Sequence, residues 1–155
     1  MDDIKRILVV SRITKDCQKA IHYGISLSKK YGAKLSVLHM IDTFWLKGWN
    51  VPMISVEKEY KKEMKRTKQE LDDMINMEKK KGMVIKELVK EGDPTEELLK
   101  VIKEEDIDLV IMLAHEEGRF EHFLFGRGND VLIRKMPCTV LLVKKEPETV
   151  EYRTL

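Results

Sequence analysis

Short apolar runs alternate along the chain with longer stretches in which apolar positions recur every three to four residues. Ile7–Val10, Leu35–Met40, Leu109–Leu113 and Thr139–Val143 are of the first kind. Such runs are expected of strands covered on both faces. Val84–Val89 alternates instead and reads as a less buried strand. Between these lie the helical stretches. Thr14 can cap a helix reaching Tyr31, with Ala20, Ile21, Gly24, Leu27, Ser28 and Tyr31 at helical spacing and Gly32 at its end. A long charged helix is predicted from Val56 to Lys81, with Tyr60, Met64, Leu71, Met74 and Ile75 as its apolar stripe and Gly82 as its stop. Gly92-Asp93-Pro94-Thr95-Glu96 is a helix start: Asp93 accepts backbone N–H bonds, Pro94 suits the first helical position and Glu96 completes a box-like pairing. Leu98, Leu99 and Ile102 then face a core. A short helix, Gly128–Lys135, is stopped before Pro137.

Strands alternating with helices predict an α/β fold, a five-stranded parallel sheet with helices on both faces and right-handed crossovers. Ligands of such sheets bind outside the carboxyl ends of the strands, where the strand order switches direction. The loops of interest are therefore Ser11–Thr14, Ile41–Thr43 and Ala114–Gly128. With 155 residues, one domain is expected, over 1–145, followed by a polar tail over 146–155.

Composition narrows the partners. The 29 basic and 27 acidic residues nearly cancel, so neither nucleic acid nor an anionic membrane is the expected partner. No apolar run approaches the roughly 20 residues of a spanning helix, and the start MDDIKR lacks the apolar stretch of a signal peptide. The expected compartment is the cytoplasm. Cys17 and Cys138 are too few for a disulfide framework and read as buried thiols.

Three segments in order carry a resemblance. ILVVSRITKDCQKAIHYGISLSKKYGAKLSVLHMID, EGDPTEELLKVIKEEDIDLVIM and RKMPCTVLLV resemble the opening unit, the third helix with fourth strand, and the last strand of universal stress proteins. The resemblance implies a Rossmann-like sheet of the adenine nucleotide alpha hydrolase-like kind, and a homodimer joined through the last strand, here Thr139 to Val143. It also implies a test for ATP. Family members that bind it carry Gly-x2-Gly-x9-Gly-Ser/Thr after the fourth strand and an Asp just after the first. Glycine lets backbone N–H groups approach phosphate closely. In the ungapped register only Gly126 matches: Leu113 and Glu116 hold the earlier glycine positions, Arg127 the Ser/Thr and Arg12 the Asp. A second register uses Gly118 and Gly128, with His115 at the first glycine and Asn129 at the Ser/Thr position. Glu116 and Glu117 would repel a triphosphate unless a metal intervened.

A non-enzymatic stress-response sensor or interaction module is therefore the leading expectation. The alternative is a binder of ATP or AMP, or a slow ATPase, with a modified phosphate loop. The residues that would line such a site are Ser11, Arg12, Ile41, Gly126, Arg127 and Gly128. Arg12, Arg119 and Arg127 either bind an anion through forked hydrogen bonds or pair with Asp42, Glu116 and Glu117 and close the pocket. No cofactor is expected on the first reading, and ATP is the cofactor of the second. His115, Glu116, Glu117 and His122 match no compact metal-ligand spacing, and no metal is expected. Ser11 has no nucleophile elbow or base around it. His22, mid-helix, and His39, in a strand, are expected to serve packing or a hydrogen bond. Phe44, Trp45 and Trp49 follow the second strand and either form a protein-partner site or pack on the long helix.

Overall fold

The computed structural model describes residues 3–41, 54–114 and 133–144. Five parallel strands form one sheet in the order β3-β2-β1-β4-β5. They are β1 (Arg6–Ser11), β2 (Lys34–Ile41), β3 (Ile85–Glu91), β4 (Leu109–Leu113) and β5 (Thr139–Val143). Helices α1 (Cys17–Tyr31), α2 (Ile54–Lys80) and α3 (Pro94–Glu104) connect them. Residues 133–135 are helical and end ahead of Pro137. The first part of the short helix expected from Gly128, the Phe44–Trp49 cluster and the 146–155 tail lie outside the described residues.

Strand position explains strand composition. β1 is central, and from Ile7 to Ser11 every residue is buried. β3 is at one edge and shows the mixed burial anticipated from its alternation. The side chains divide by parity. Ile7, Val9, Leu35, Val37 and Ile111 meet Ala20 and Ile21 of α1 and Leu71 and Ile75 of α2. Leu8, Val10, Leu38, Met40, Val110 and Met112 meet Leu98, Val101 and Ile102 of α3. A strand covered on both faces has no polar side, hence the continuous apolar runs.

Gly24 permits the close approach of α1 to the sheet. A Cβ built on it would overlap Val9 Cγ2 and crowd Leu35 Cδ1 at 3.2 Å. The helix ends where expected, with Gly32 in the left-handed conformation at φ 65°. Its start differs. α1 opens at Cys17 rather than after a Thr14 cap, and the first bonds are i to i−3: Cys17 N–H to the Thr14 carbonyl, 3.0 Å, and Gln18 N–H to Lys15, 3.2 Å. A tight turn of this kind satisfies the orphan amides through backbone carbonyls, leaving the Thr14 hydroxyl against Cys17 Sγ at 3.2 Å. Tyr31 faces solvent rather than the core, 53% exposed in the last turn.

The amino ends of β1 and β4 are tied by one carboxylate. Asp108 Oδ2 accepts from Lys5 N–H at 2.9 Å and Arg6 N–H at 2.8 Å. Cys17 is buried as expected, whereas Cys138 is only half-buried, because it precedes the edge strand β5. Burial and the nearby Asp108 carboxylate push the Cys138 thiol above its ordinary pKa.

Candidate functional site

After β3 the chain crosses back over β2 and β1 to place β4 on the far side of β1. The strand order therefore reverses between β1 and β4, and the carboxyl ends of these two strands mark the switch point at which sheets of this kind bind ligands. Ser11 closes β1 and is fully buried, and its Oγ accepts from Ile13 N–H at 3.1 Å. That bond holds a sharp turn in which Ile13 takes a φ of 58°. A β-branched residue in this region costs on the order of 1–3 kcal/mol, offset here by burial of the Ile13 side chain. Arg12 lies inside this turn and is half-buried.

On the neighbouring strand, Ile41 closes β2, and its carbonyl accepts from Gly92 N–H at 3.3 Å. Gly92 has a φ of 134°, which a side chain rarely adopts, and it turns the chain into α3. Asp93 then caps α3 as anticipated, its Oδ1 accepting from Thr95 N–H at 2.9 Å and Glu96 N–H at 3.2 Å. On the other side of β1, Leu113 is the last residue of β4, paired with Val143, and Ala114 N–H donates to the Val143 carbonyl at 2.8 Å. Ser11, Arg12 and Ile41 thus stand at one end of the sheet on adjacent strands. Gly126, Arg127 and Gly128 lie outside the described residues, as do Arg119, His115 and His122.

A second group escaped the sequence reading. His39 is fully buried on β2, and among the described residues neither ring nitrogen has a hydrogen-bond partner. Of the two roles expected for this side chain, packing or a hydrogen bond, the structure shows the packing. Its Nε2 lies 3.6 Å from Glu87 Oε1 on β3 and 3.8 Å from Asp72 Oδ1 on α2, contacts too long for hydrogen bonds. Burial and the Lys68 ammonium hold His39 below the usual imidazole range, against the opposing pull of Asp72 and Glu87. The two carboxylates are anchored from outside: Lys68 Nζ is 2.8 Å from Asp72 Oδ2, and Lys79 Nζ is 2.9 Å from Glu87 Oε2. One sequence signal points there. His39, like Glu87, falls on the face that its strand turns towards α2, and Asp72 adjoins the buried Leu71.

The family model of the universal stress protein family matches residues 3–144. The chain belongs to the universal stress protein family. Universal stress protein MJ0577 of Methanocaldococcus jannaschii is 31% identical over 88 residues, 57% of this chain and 50% of that relative. A universal stress protein of Methanothermobacter thermautotrophicus is 24% identical over 151 residues, 93% of this chain and 99% of the relative. The solved structure of MJ0577 superposes with a TM-score of 0.61 at 25% identity, covering 94% of this chain and 99% of that one. Two more distant family structures, each 15% identical, share the fold. One, in complex with cAMP, has a TM-score of 0.57 and covers 92% of this chain and 98% of its own. The other, from Arabidopsis thaliana with AMP bound, has a TM-score of 0.56, with 92% and 93% covered. The five-stranded Rossmann-like sheet is thus the family fold. No helix among the described residues is long and apolar enough to cross a membrane.

Proposed function

We propose that this chain is a non-enzymatic stress-response module of the universal stress type that does not hold ATP in the phosphate loop of the ATP-binding members. The carrying observation is the switch in strand order between β1 and β4 and the residues that stand at it. Arg12 takes the position of the nucleoside-contacting Asp, and Leu113, built into β4, takes that of the first phosphate-loop glycine. A Cβ at a glycine position keeps a phosphate from the backbone amides, and an arginine cannot accept hydrogen bonds from a ribose.

A second reading is favoured by the AMP and cAMP complexes of the distant relatives. A mononucleotide asks less of a phosphate loop than a triphosphate does, and the Arg12 guanidinium supplies a fork suited to one phosphate. The two readings separate in one experiment. ATP, ADP, AMP and cAMP, with magnesium, are titrated calorimetrically into the purified protein, and carried nucleotide is assayed after denaturation. The first reading expects no micromolar binding of any of them. AMP or cAMP binding that Arg12→Glu abolishes would establish the second, and micromolar ATP binding would overturn the first.

The same reading includes a homodimer. β5 forms an edge of the described sheet and leaves Leu142 40% exposed. Unpaired strand edges of this kind invite pairing, and a two-fold contact between β5 strands satisfies both copies. Sedimentation of wild type and Val140→Lys tests it, the variant being expected to run as a monomer. The cytoplasm is the proposed compartment, and the Phe44–Trp49 segment is the proposed contact for a protein partner.

A further inference from the structure

We infer that His39, Asp72 and Glu87 form a binding site for a borderline first-row divalent cation of the Zn2+ type. Each residue offers one ligand atom, and the three atoms lie within 4.8 Å of one another. Ligands about 2.1 Å from a tetrahedral ion stand about 3.4 Å apart, close to the observed 3.6 and 3.8 Å from His39 Nε2. The contacts are too long for direct hydrogen bonds and about the length that a shared ion requires.

Clustered carboxylates alone would not make this case. The second observation is His39, an imidazole with no exposed surface, and a buried polar group without a partner costs about 1–3 kcal/mol. Asp72 Oδ1 is likewise buried and unpartnered among the described residues. Of the three unpartnered atoms, Nε2 and Oδ1 face each other in this cluster, so one ion would satisfy both of these. One imidazole nitrogen with two carboxylate oxygens suits Zn2+ better than the all-oxygen preference of Ca2+ or Mg2+. Asp72 and Glu87 are about one quarter exposed, which gives an ion a path from the surface between α2 and β3.

The lysines set the strength of the site. Lys68 and Lys79 each grip one oxygen of a carboxylate and leave the other, Asp72 Oδ1 and Glu87 Oε1, towards the imidazole. They orient the ligands as outer partners do, but their two positive charges also oppose a dication. Removing a lysine should therefore tighten binding, whereas removing a carboxylate should weaken it. A purely structural ion pair would not behave so. An ion here would join α2 to β2 and β3.

The test uses the full chain stripped with a chelator. Zn2+ is titrated against a competing chromophoric chelator, and Co2+ is followed by its visible absorption. We expect saturable binding and a tetrahedral Co2+ spectrum. Glu87→Gln and Asp72→Asn should each weaken binding by about tenfold or more, and Lys79→Met should strengthen it severalfold. Circular dichroism confirms that each variant is folded, and Asp72, on the surface of a long helix, provides the readout if the Glu87 variant is not. Absence of saturable binding would overturn the site. So would binding indifferent to both carboxylate variants, which would place the ion at other histidines or cysteines.

Discussion

The two faces of the sheet are built from the same strands and differ sharply in what they bury. The face under α3 is mostly apolar: Leu8, Val10, Leu38, Met40, Val110 and Met112 against Leu98, Val101 and Ile102. Of the buried polar side chains in the described residues, only Ser36 belongs to its strand positions. The face under α1 and α2 also buries apolar side chains, Ile7, Val9, Leu35 and Val37 among them, but it takes in polar ones beside them: Ser11, His39 and Glu87, the last in register with Val37. An apolar face gains from every methylene it hides, whereas buried polar atoms gain only when partnered. Both faces bury apolar side chains, and the second also buries polar atoms that have no partner among the described residues.

That contrast can be broken by substitution. On the α3 face, Leu38→Ala removes a side chain with no exposed surface and should cost about 2–5 kcal/mol, read by urea unfolding. A loss below about 1 kcal/mol would mean that this face is not tightly packed around Leu38. Under α1, Gly24→Ala should destabilise by about 1–3 kcal/mol through its clash with Val9. In an exposed helix the same change gains up to about 1 kcal/mol, so the sign reports the packing of α1.

Local devices come next. Asp93→Ala removes the cap of α3 and should cost about 1 kcal/mol. His39→Leu sharpens the contrast most directly. It exchanges an unpartnered imidazole for an apolar group of similar size and should change the stability of metal-free protein by less than about 1 kcal/mol. The same variant should lose any rise in Tm on adding Zn2+. A loss as large as that of Leu38→Ala would show that His39 is a well-satisfied core residue, and the contrast between the faces would fail.

The smallest effect is electrostatic. Glu78 on α2 is hydrogen-bonded by Lys29 of α1 at 2.6 Å, and this contact depresses its carboxyl below the ordinary 4.5. The sign follows from linkage: a carboxylate with a depressed native pKa adds stability above its unfolded pKa and loses it as pH falls through the native value. The small stability difference between wild type and Glu78→Gln should therefore be present at neutral pH and be lost in acid, as pH falls below the ordinary 4.5 and through the depressed native value. Both groups meet solvent, so the effect should also shrink with added salt.

The order of elements was legible in the chain, because burial on two faces and burial on one leave different periods. β4 and β5 were read to the residue, as Leu109–Leu113 and Thr139–Val143. Asp93-Pro94 announced α3 because capping is a local matter of one side chain and two amides. The family was legible for the same reason, in three ordered segments that the match over residues 3–144 bears out. The Thr14 cap was misread, since backbone carbonyls satisfied amides for which a hydroxyl had been expected. Ser11, Arg12 and Ile41 could be named as neighbours from strand ends alone, once a parallel sheet was assumed. Lateral order was another matter. The reversal between β1 and β4 depends on where the β3–β4 connection lands, which no local pattern encodes.

The His39 cluster marks the boundary most clearly. From the chain came the separate facts that His39 interrupts an apolar strand, that Asp72 adjoins the apolar stripe of a charged helix and that Glu87 alternates with apolar residues on β3. Hydrophobic periodicity is enough to decide which face each element buries, because it reflects a free energy summed over many residues. It carries no information on which strands become neighbours or how far along its axis a helix sits on the sheet. Those depend on the packing of all elements together, and only the folded chain brings one imidazole and two carboxylates within 4.8 Å.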